Sequence, residues 1–319
     1  MEIVYILKDA LEQGFIWALL ALGVFISYRV LDFADLSVEG SITLGASIAG
    51  AMILSGIPFL SNPIIAIIIA LIGGMLAGAV TGFLHTKLKI PGILAGIITM
   101  TGLFSINLLV MGGNSLYLDK DYKKPTIYDF LDKLLVNSFN IDNLEIVRFL
   151  SKTLTSFFVI LIVIIIIYYF FGTEIGMSIR ATGSNRMMAR AQGINTNRMI
   201  ILGLAISNGI VAIAGALYVE CYKISNMDLG RGSIVVGLAS IIIGEVLIGK
   251  VTFKRWLIAV VTGTILFQVI IGVAIGLGFS ANNLRLLQAI LIAVILAFPI
   301  IKPMLKKWFE KRGVKHAKY

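Results

Sequence analysis

The sequence predicts an all-α fold, a polytopic transmembrane helical bundle of about nine spans. Of its 319 residues, 58% are hydrophobic and 14% are charged, whereas a soluble domain is roughly 45–50% apolar and about 25% charged. The apolar residues form continuous runs of helix length and do not alternate as the strands of a β-barrel would. This composition excludes a soluble enzyme, a disordered tail and a nucleic-acid reader.

Each apolar run is a candidate span, with edges set to within a few residues. The runs are residues 10–28, 38–56, 63–84, 91–111, 151–171, 199–219, 233–249, 256–277 and 285–301. The second and seventh are short and rich in glycine, so we expect broken or re-entrant helices at these two places.

The basic residues set the expected orientation. The net charge is +10, and lysines and arginines gather on alternate sides of the spans, at Arg29, in the loop 172–198 and in the tail 302–319. Since cytoplasmic loops collect Lys and Arg, we expect a cytoplasmic C-terminus and an external N-terminus in a bacterial cell membrane. The chain then divides into a permease domain, residues 1–301, and a basic cytoplasmic tail, residues 302–319.

The long loop 112–150 is predicted to be extracellular and to contain a short helix. Thr126 and Asp129 resemble a capping box, and apolar residues recur behind them at helical spacing. They are Ile127, Phe130, Leu131, Leu134 and Leu135. Two interpretations stay open, a helix lying on the bilayer or on the rim of the protein and a docking surface for an external partner.

Small residues in the third span predict close helix packing. Gly74, Gly78 and Gly82 are four residues apart, a spacing that lets helix backbones approach. Packing within the chain is favoured over a subunit interface.

A weak internal repeat links the second and seventh spans. Residues 35–45 begin Asp-Leu-Ser-Val-Glu-Gly-Ser-Ile, and residues 228–237 begin Asp-Leu-Gly-Arg-Gly-Ser-Ile, with one residue gapped. The two copies enter the membrane from opposite faces in the predicted topology. Inverted repeats with glycine-interrupted spans are typical of transporters and flank the translocation site, although a chance match of small residues is the alternative.

The sequence carries no pattern for catalysis, a metal or a cofactor. His85 and His316 stand alone, and residues 244–251 resemble a phosphate-binding loop but have Val251 where a Ser or Thr must bind Mg²⁺. We therefore expect a transport subunit and not an enzyme, with ATP hydrolysis left to a separate polypeptide. Acidic residues in or beside the spans keep an ion-coupled carrier open as an alternative. They are Asp32, Asp35, Glu39, Glu220 and Glu245.

The loop 172–198 is the most informative segment. Ser184 or Asn185 is expected to cap a short helix that includes Met187 and Met188 and ends at Gly193. Methionine adapts to a partner's groove, while a basic loop lying on lipid headgroups is the alternative. The segment has Gly176, Arg180, Ala181, Gly183 and Asn185, followed by Ala189, Ala191, Gly193, Ile194 and Asn195.

This pattern resembles the coupling segment of ABC-importer permeases in the branched-chain amino acid and ribose permease superfamily, roughly G-x-x-x-R-A-x-G-x-N and then G-I-N. The small residues at 212–217 fit the same family, and Asp35-Leu36-Ser37-Val38 is similar to its D-L-S-V-G stretch, with Glu39 as the departure. The resemblance covers residues 14–301. Residues 27–46 most resemble permeases grouped with aromatic amino acid uptake.

The resemblance implies that two copies of this chain form a pore, that two cytoplasmic ATPase subunits bind the loop 172–198, and that an extracellular binding protein or lipoprotein delivers the solute. It implies import of an amino acid, aromatic or branched-chain, with a nucleoside or a sugar as the alternative. The expected ATPase contacts are Arg180, Gly183, Asn185, Arg186, Met187, Met188, Ala191 and Gly193. Motif position and polarity within the spans place the substrate path at Asp35, Ser37, Glu39, Ser41, Thr99, Thr101, Asn107, Asn208 and Ser233.

Overall fold

The protein is a bundle of helices with one short β-ribbon. The computed structural model describes residues 2–118, 126–139, 144–278, 286, 288–294 and 297. The named elements are α1 (Glu2–Phe25) with a π-helical turn (Ile26–Val30), α2 (Val38–Leu54), α3 (Pro63–Thr86), α4 (Gly92–Met111), β1 (Ser115–Tyr117), α5 (Ile127–Phe139), α6 (Leu144–Phe170), α7 (Glu174–Ser184), α8 (Arg186–Ala191), α9 (Thr196–Tyr222), β2 (Ile224–Asn226), a 3₁₀ turn (Met227–Gly230), α10 (Ser233–Ile248) and α11 (Phe253–Gly276).

These elements confirm the predicted all-α membrane fold. Within the described ranges, seven helical stretches are long and apolar enough to cross a membrane, and α2 is a shorter apolar helix of 17 residues. Eight of the nine predicted segments therefore coincide with described helices. Of the ninth, 285–301, only residues 286, 288–294 and 297 are described, and they are helical. The remainder of that segment and the tail 302–319 lie outside the described residues.

Side chains and backbone geometry fix the helix ends. Asn62 caps α3, since its side chain accepts a hydrogen bond from the Ile64 amide ahead of Pro63 at the first helical position. Gly112 ends α4 in the left-handed region, at φ 67°. Lys223 ends α9 in the same region, at φ 60°.

Helix α9 is the most deeply buried span and packs against α1, α2 and α3. The glycine stripe of α3 makes one of these contacts: Gly74 and Gly78 lie against the backbone of Asn208 and Leu204, and Gly82 lies against Ile201. The prediction that this stripe serves packing within the chain is confirmed. A side chain there would separate the two backbones.

Helix α2 runs in the same direction as α9. Its first turns meet the middle of α9, where Ser41 donates to Asn208, and its later part reaches the end of α9, where Gly50 faces Val219. Helix α2 therefore begins about halfway along α9, as expected of a broken span.

Helix α10 runs in the opposite direction. Gly237 packs on Val24, and Glu245, two turns later, pairs with Arg29 at the end of α1. Helix α1 runs antiparallel to α9, because Gly23 lies at Ser207 and the π-helical turn that follows it leads toward the start of α9. The helices that follow the two halves of the predicted repeat are therefore oppositely oriented.

Candidate functional site

Four of the predicted path residues form one buried hydrogen-bonded cluster around Asp35. The Asp35 carboxylate accepts from the Ser37 amide at 2.9 Å and from the Asn208 amide nitrogen at 2.7 Å. Ser41 donates to the Asn208 side-chain oxygen at 2.6 Å. All four side chains are buried. The cluster joins the segment before α2 to the middle of α9, and its polar atoms satisfy one another.

Glu39, in the first turn of α2, bonds to the backbone at the start of α10. Its carboxylate accepts a hydrogen bond from the Gly232 amide at 3.0 Å, which offsets the partial positive charge at a helix N-terminus. The backbone of Gly230 lies against the carbonyl of Glu39. Both halves of the predicted repeat therefore meet at Glu39, near the mid-depth of α9.

A cavity of about 240 Å³ opens beside this junction, between α2, α4 and the 3₁₀ turn. Three predicted path residues line it, Glu39, Thr101 and Asn107. The Asn107 amide nitrogen donates to the Gly40 carbonyl at 3.1 Å, while its buried side-chain oxygen has no hydrogen-bond partner among the described residues. The other lining residues are Gly40, Thr43, Met100, Phe104, Met227, Gly230 and Arg231.

Two further path residues lie elsewhere. Thr99 is buried and accepts from Thr81 on α3 at 2.9 Å, so it joins α3 to α4. Ser233 is buried at the start of α10, and its hydroxyl has no hydrogen-bond partner among the residues described.

The loop 172–198 folds as two short helices. Helix α8 is the one that the sequence predicts, and α7, which precedes it, was not predicted. Asn185 caps α8 by accepting from the Met188 amide at 3.0 Å. Gly193 follows at φ 83°, and Arg190 donates to Thr196 at 2.8 Å. Both ends of α8 are therefore fixed to neighbouring elements.

The predicted ATPase contacts differ in exposure. Met187 and Met188 are 81% and 62% exposed, and Arg180, Asn185, Ala191 and Gly193 are exposed as well. Arg186 is half-buried and donates to His85 at 3.4 Å. Gly183 is half-buried because α7 packs on the Val30 carbonyl there. A larger residue at this position would therefore disturb the packing of α7 on α1, whether or not it also affects ATPase coupling.

Helix α7 thus rests on the end of α1, which is linked onward to α10 and α11. The guanidinium of Arg29 lies 2.6 Å from the Glu245 carboxylate, and Trp256 donates to the same carboxylate at 2.9 Å. The Arg180 guanidinium stacks 4.9 Å from the ring centre of Phe253 on α11. Sequence reasoning missed this network, because residues 216 positions apart in the chain give no local signal.

Within the predicted loop 112–150 the structure has a short helix, α5, at the opposite end of α9, and α6 already begins at Leu144. Thr126 donates to the Asp129 carboxylate through its amide and its hydroxyl, both at 2.8 Å, and Lys223 donates at 2.9 Å. Burial raises the pKa of Asp129, but the hydrogen bonds from Lys223 and Thr126 outweigh it, so the pKa lies below its ordinary value. Glu220 accepts from the Ile127 amide at 2.9 Å.

Within the described part of the chain, no three His, Cys, Asp or Glu side chains gather to hold a metal ion. The helices, the two oppositely directed helix starts and the mid-depth cavity define a multi-pass membrane protein of the transporter class.

The chain belongs to the family described as branched-chain amino acid transport system, permease component, whose model matches residues 6–298. This family comprises permeases of ABC-type transport systems, so its role is transport and not catalysis. The resemblance inferred from the loop 172–198 is therefore confirmed.

The chain is similar to a tyrosine transport system permease protein of Clostridioides difficile, at 36% identity over 94% of this chain and 93% of the relative. It is also similar to a ribose import permease of Haemophilus influenzae, at 25% identity over 74% of this chain and 67% of the relative. An autoinducer 2 import permease of Salmonella typhimurium matches at 25% identity over 66% and 55%. No solved structure matches the chain.

Proposed function

We propose that this chain is the membrane-spanning subunit of a binding-protein-dependent ABC importer for an amino acid, aromatic or branched-chain. The similarity to a tyrosine transport permease over nearly the full length of both chains supports this choice of solute. The lower similarity to ribose and autoinducer 2 permeases keeps a sugar or a nucleoside as the second candidate.

The observation that carries the proposal is the exposed methionine pair of α8 on a braced support. Met187 and Met188 project from a helix whose ends are fixed by Asn185 and Arg190. An adaptable apolar surface on a rigid base suits a groove on a partner subunit. We assign residues 172–198 as the cytoplasmic segment that binds the ATPase, with Arg180, Gly183, Asn185, Arg186, Met187, Met188, Ala191 and Gly193 at the contact.

In the proposed complex, residues 1–301 form the permease domain, residues 112–150 form an extracellular loop that meets the solute-binding protein or lipoprotein, and residues 302–319 form a basic tail in the cytoplasm. Two copies of this chain pair with two ATPase subunits. The C-terminus is cytoplasmic because basic residues gather on that side of the spans.

Force would pass from the ATPase to the spans through three contacts. A displacement of α8 moves α7. Helix α7 contacts the end of α1 through Gly183 and Val30, so α1 moves with it. The Arg29–Glu245 ion pair then transmits the movement from α1 to α10. The start of α10 is hydrogen-bonded to Glu39, which lines the cavity, so a movement of α10 reaches the cavity. The bundle would then rock between inward-open and outward-open states, provided that the ATPase contacts differ between the two states.

The test is the composition and ATPase activity of the complex purified from native membranes through a tag on this chain. We expect an ATPase subunit near a 1:1 ratio, and stimulation of hydrolysis when the binding protein and its solute are added. The double variant Met187→Asp/Met188→Asp is expected to lose ATPase capture at least about tenfold with an unchanged Tm, since several buried apolar contacts are lost.

The matched control is Ile57→Asp, which adds charge to an exposed apolar residue at the opposite end of the bundle. ATPase capture by the double variant at the wild-type level would contradict the coupling assignment. Uptake into vesicles on an ion gradient, with no ATPase present, would replace the importer with an ion-coupled carrier.

A further inference from the structure

We propose that the cavity between α2, α4 and the 3₁₀ turn binds the solute directly, and that it selects a zwitterionic α-amino acid with an apolar side chain. The inference rests on the proposed function and adds to it a recognition site in the membrane subunit. Glu39 and Asn107 accept hydrogen bonds from the ammonium group of the solute, and Arg231 donates to its carboxylate. The side chain of the solute contacts Met100, Phe104 and Met227.

The position of the cavity fits a transport site. It lies where two oppositely directed helices begin, at the mid-depth of α9, and the half-exposed ring of Phe104 stands at its edge. In secondary transporters, solutes bind near the bilayer midplane at the junction of broken helices, and this cavity lies at a comparable junction. A cavity of about 240 Å³ is smaller than the sites that hold drug-sized ligands, so it suits a single small solute.

The two hydrogen-bond acceptors in the cavity, on Glu39 and Asn107, favour a cationic group on the solute. The Glu39 carboxylate accepts backbone hydrogen bonds from Gly232 and Ile234, and no lysine or arginine of the described ranges forms an ion pair with it. The Asn107 side-chain oxygen is buried without a hydrogen-bond partner among those residues, which is unfavourable unless a bound solute supplies a donor. An ammonium group brings three donors and one positive charge.

Arg231 supplies the opposite charge at the rim. Its guanidinium pairs with Asp228 at 3.0 Å, and both side chains are more than half exposed. Because a guanidinium has five N–H donors in a planar fork, Arg231 can keep Asp228 and still donate to a carboxylate. The cavity lining then has one group of each sign for the two charged groups of an α-amino acid.

The rest of the lining favours an apolar side chain over a sugar. Met100, Phe104 and Met227 are adaptable or aromatic surfaces. The two threonine hydroxyls in the cavity already donate within their own helices, Thr43 to the Glu39 carbonyl and Thr101 to the Ile97 carbonyl. A sugar would therefore meet two charged groups and few free hydroxyl partners.

The test is equilibrium binding to the full-length chain in lipid nanodiscs, with L-phenylalanine, 3-phenylpropionate and 2-phenylethylamine as probes. The second probe lacks the ammonium group, and the third lacks the carboxylate. We expect wild-type protein to bind L-phenylalanine at least about tenfold more tightly than either analogue, because a hydrogen-bonded charge contact contributes about that factor or more.

Two variants test which residue binds which charged group of the solute. Glu39→Gln should weaken L-phenylalanine about tenfold or more and leave 3-phenylpropionate unchanged, since the amide can still accept from Gly232. Arg231→Gln, which is exposed and outside the helix packing, should weaken L-phenylalanine and leave 2-phenylethylamine unchanged. Asp9→Asn, at an exposed position of α1, is the matched control and should bind all three probes like the wild type.

The proposal is overturned if wild-type protein shows no saturable binding of L-phenylalanine, if both variants keep the wild-type preference for it, or if D-ribose binds more tightly. The importer assignment is tested separately, because ATPase capture at α8 does not involve this cavity. If the complex captures its ATPase but Glu39→Gln keeps the wild-type selectivity, the importer assignment is supported and the proposed binding site is wrong.

Discussion

The guanidinium of Arg29 lies 2.6 Å from the carboxylate of Glu245, although 216 residues separate them in the chain. The pair joins the end of α1 to the end of α10, and it is partly shielded, with side chains 29% and 12% exposed. Trp256 at the start of α11 donates to the same carboxylate. Three helices are thereby tied together at the end of the bundle that carries α7 and α8.

We expect Arg29→Gln to lower the free energy of unfolding by about 1–3 kcal/mol, because it leaves Glu245 partly buried without its cation. Arg29→Gln with Glu245→Gln should recover part of this loss, since Trp256 can still donate to the glutamine. A double-mutant cycle on thermal unfolding in detergent measures the interaction. Additive losses from the two single variants would mean that the pair contributes nothing.

Asn208→Leu is expected to destabilise the protein by about 1–3 kcal/mol. The substitution removes a donor to the buried Asp35 carboxylate and the acceptor for Ser41, and the desolvated groups then lack partners. The measurement is the Tm in detergent, with Thr101→Val as the control, since the exposed Thr101 hydroxyl bonds within its own helix. A Tm for Asn208→Leu equal to that of Thr101→Val would show that the cluster is not structural.

The glycine stripe of α3 gives a packing test. We expect Gly78→Val to destabilise the protein by about 1–3 kcal/mol or to prevent folding, because a Cβ there would meet the Leu204 backbone. Gly102→Val on α4 is the matched control, since nothing lies within 4 Å of its Cβ position. The yield of monodisperse protein and its Tm would separate the two variants. The same yield and Tm for both variants would mean that Gly78 does not pack against α9.

The Asp129–Lys223 pair predicts a pH dependence. The pKa of Asp129 is below its ordinary value in the folded protein, so the pair stabilises α5 above the unfolded carboxyl pKa of about 3.9 and loses this effect as the pH falls through the folded pKa. The Tm difference between wild type and Asp129→Asn should stay constant from pH 7 to about pH 5 and shrink below about pH 4. A difference that grows on acidification would contradict the ion pair.

Local patterns predicted most of the architecture because each depends on residues close in sequence. Continuous apolar runs located eight helices, Asn185 and Gly193 marked the limits of the α8 segment, and Thr126 with Asp129 marked the start of α5. The glycine spacing in α3 also predicted close packing within the chain. The residue pattern of the loop 172–198 was sufficient to identify the family.

The sequence by itself determined that this protein is a helical, multi-pass permease, because hydrophobic length and local motifs are properties of short segments. Only the tertiary structure decided which polar residues meet. It separated the closed cluster of Asp35 and Asn208 from the open cavity at Glu39, and it brought Arg231 to that cavity's rim. These partners lie on helices far apart in the chain, and packing depends on long-range contacts that a single sequence does not show.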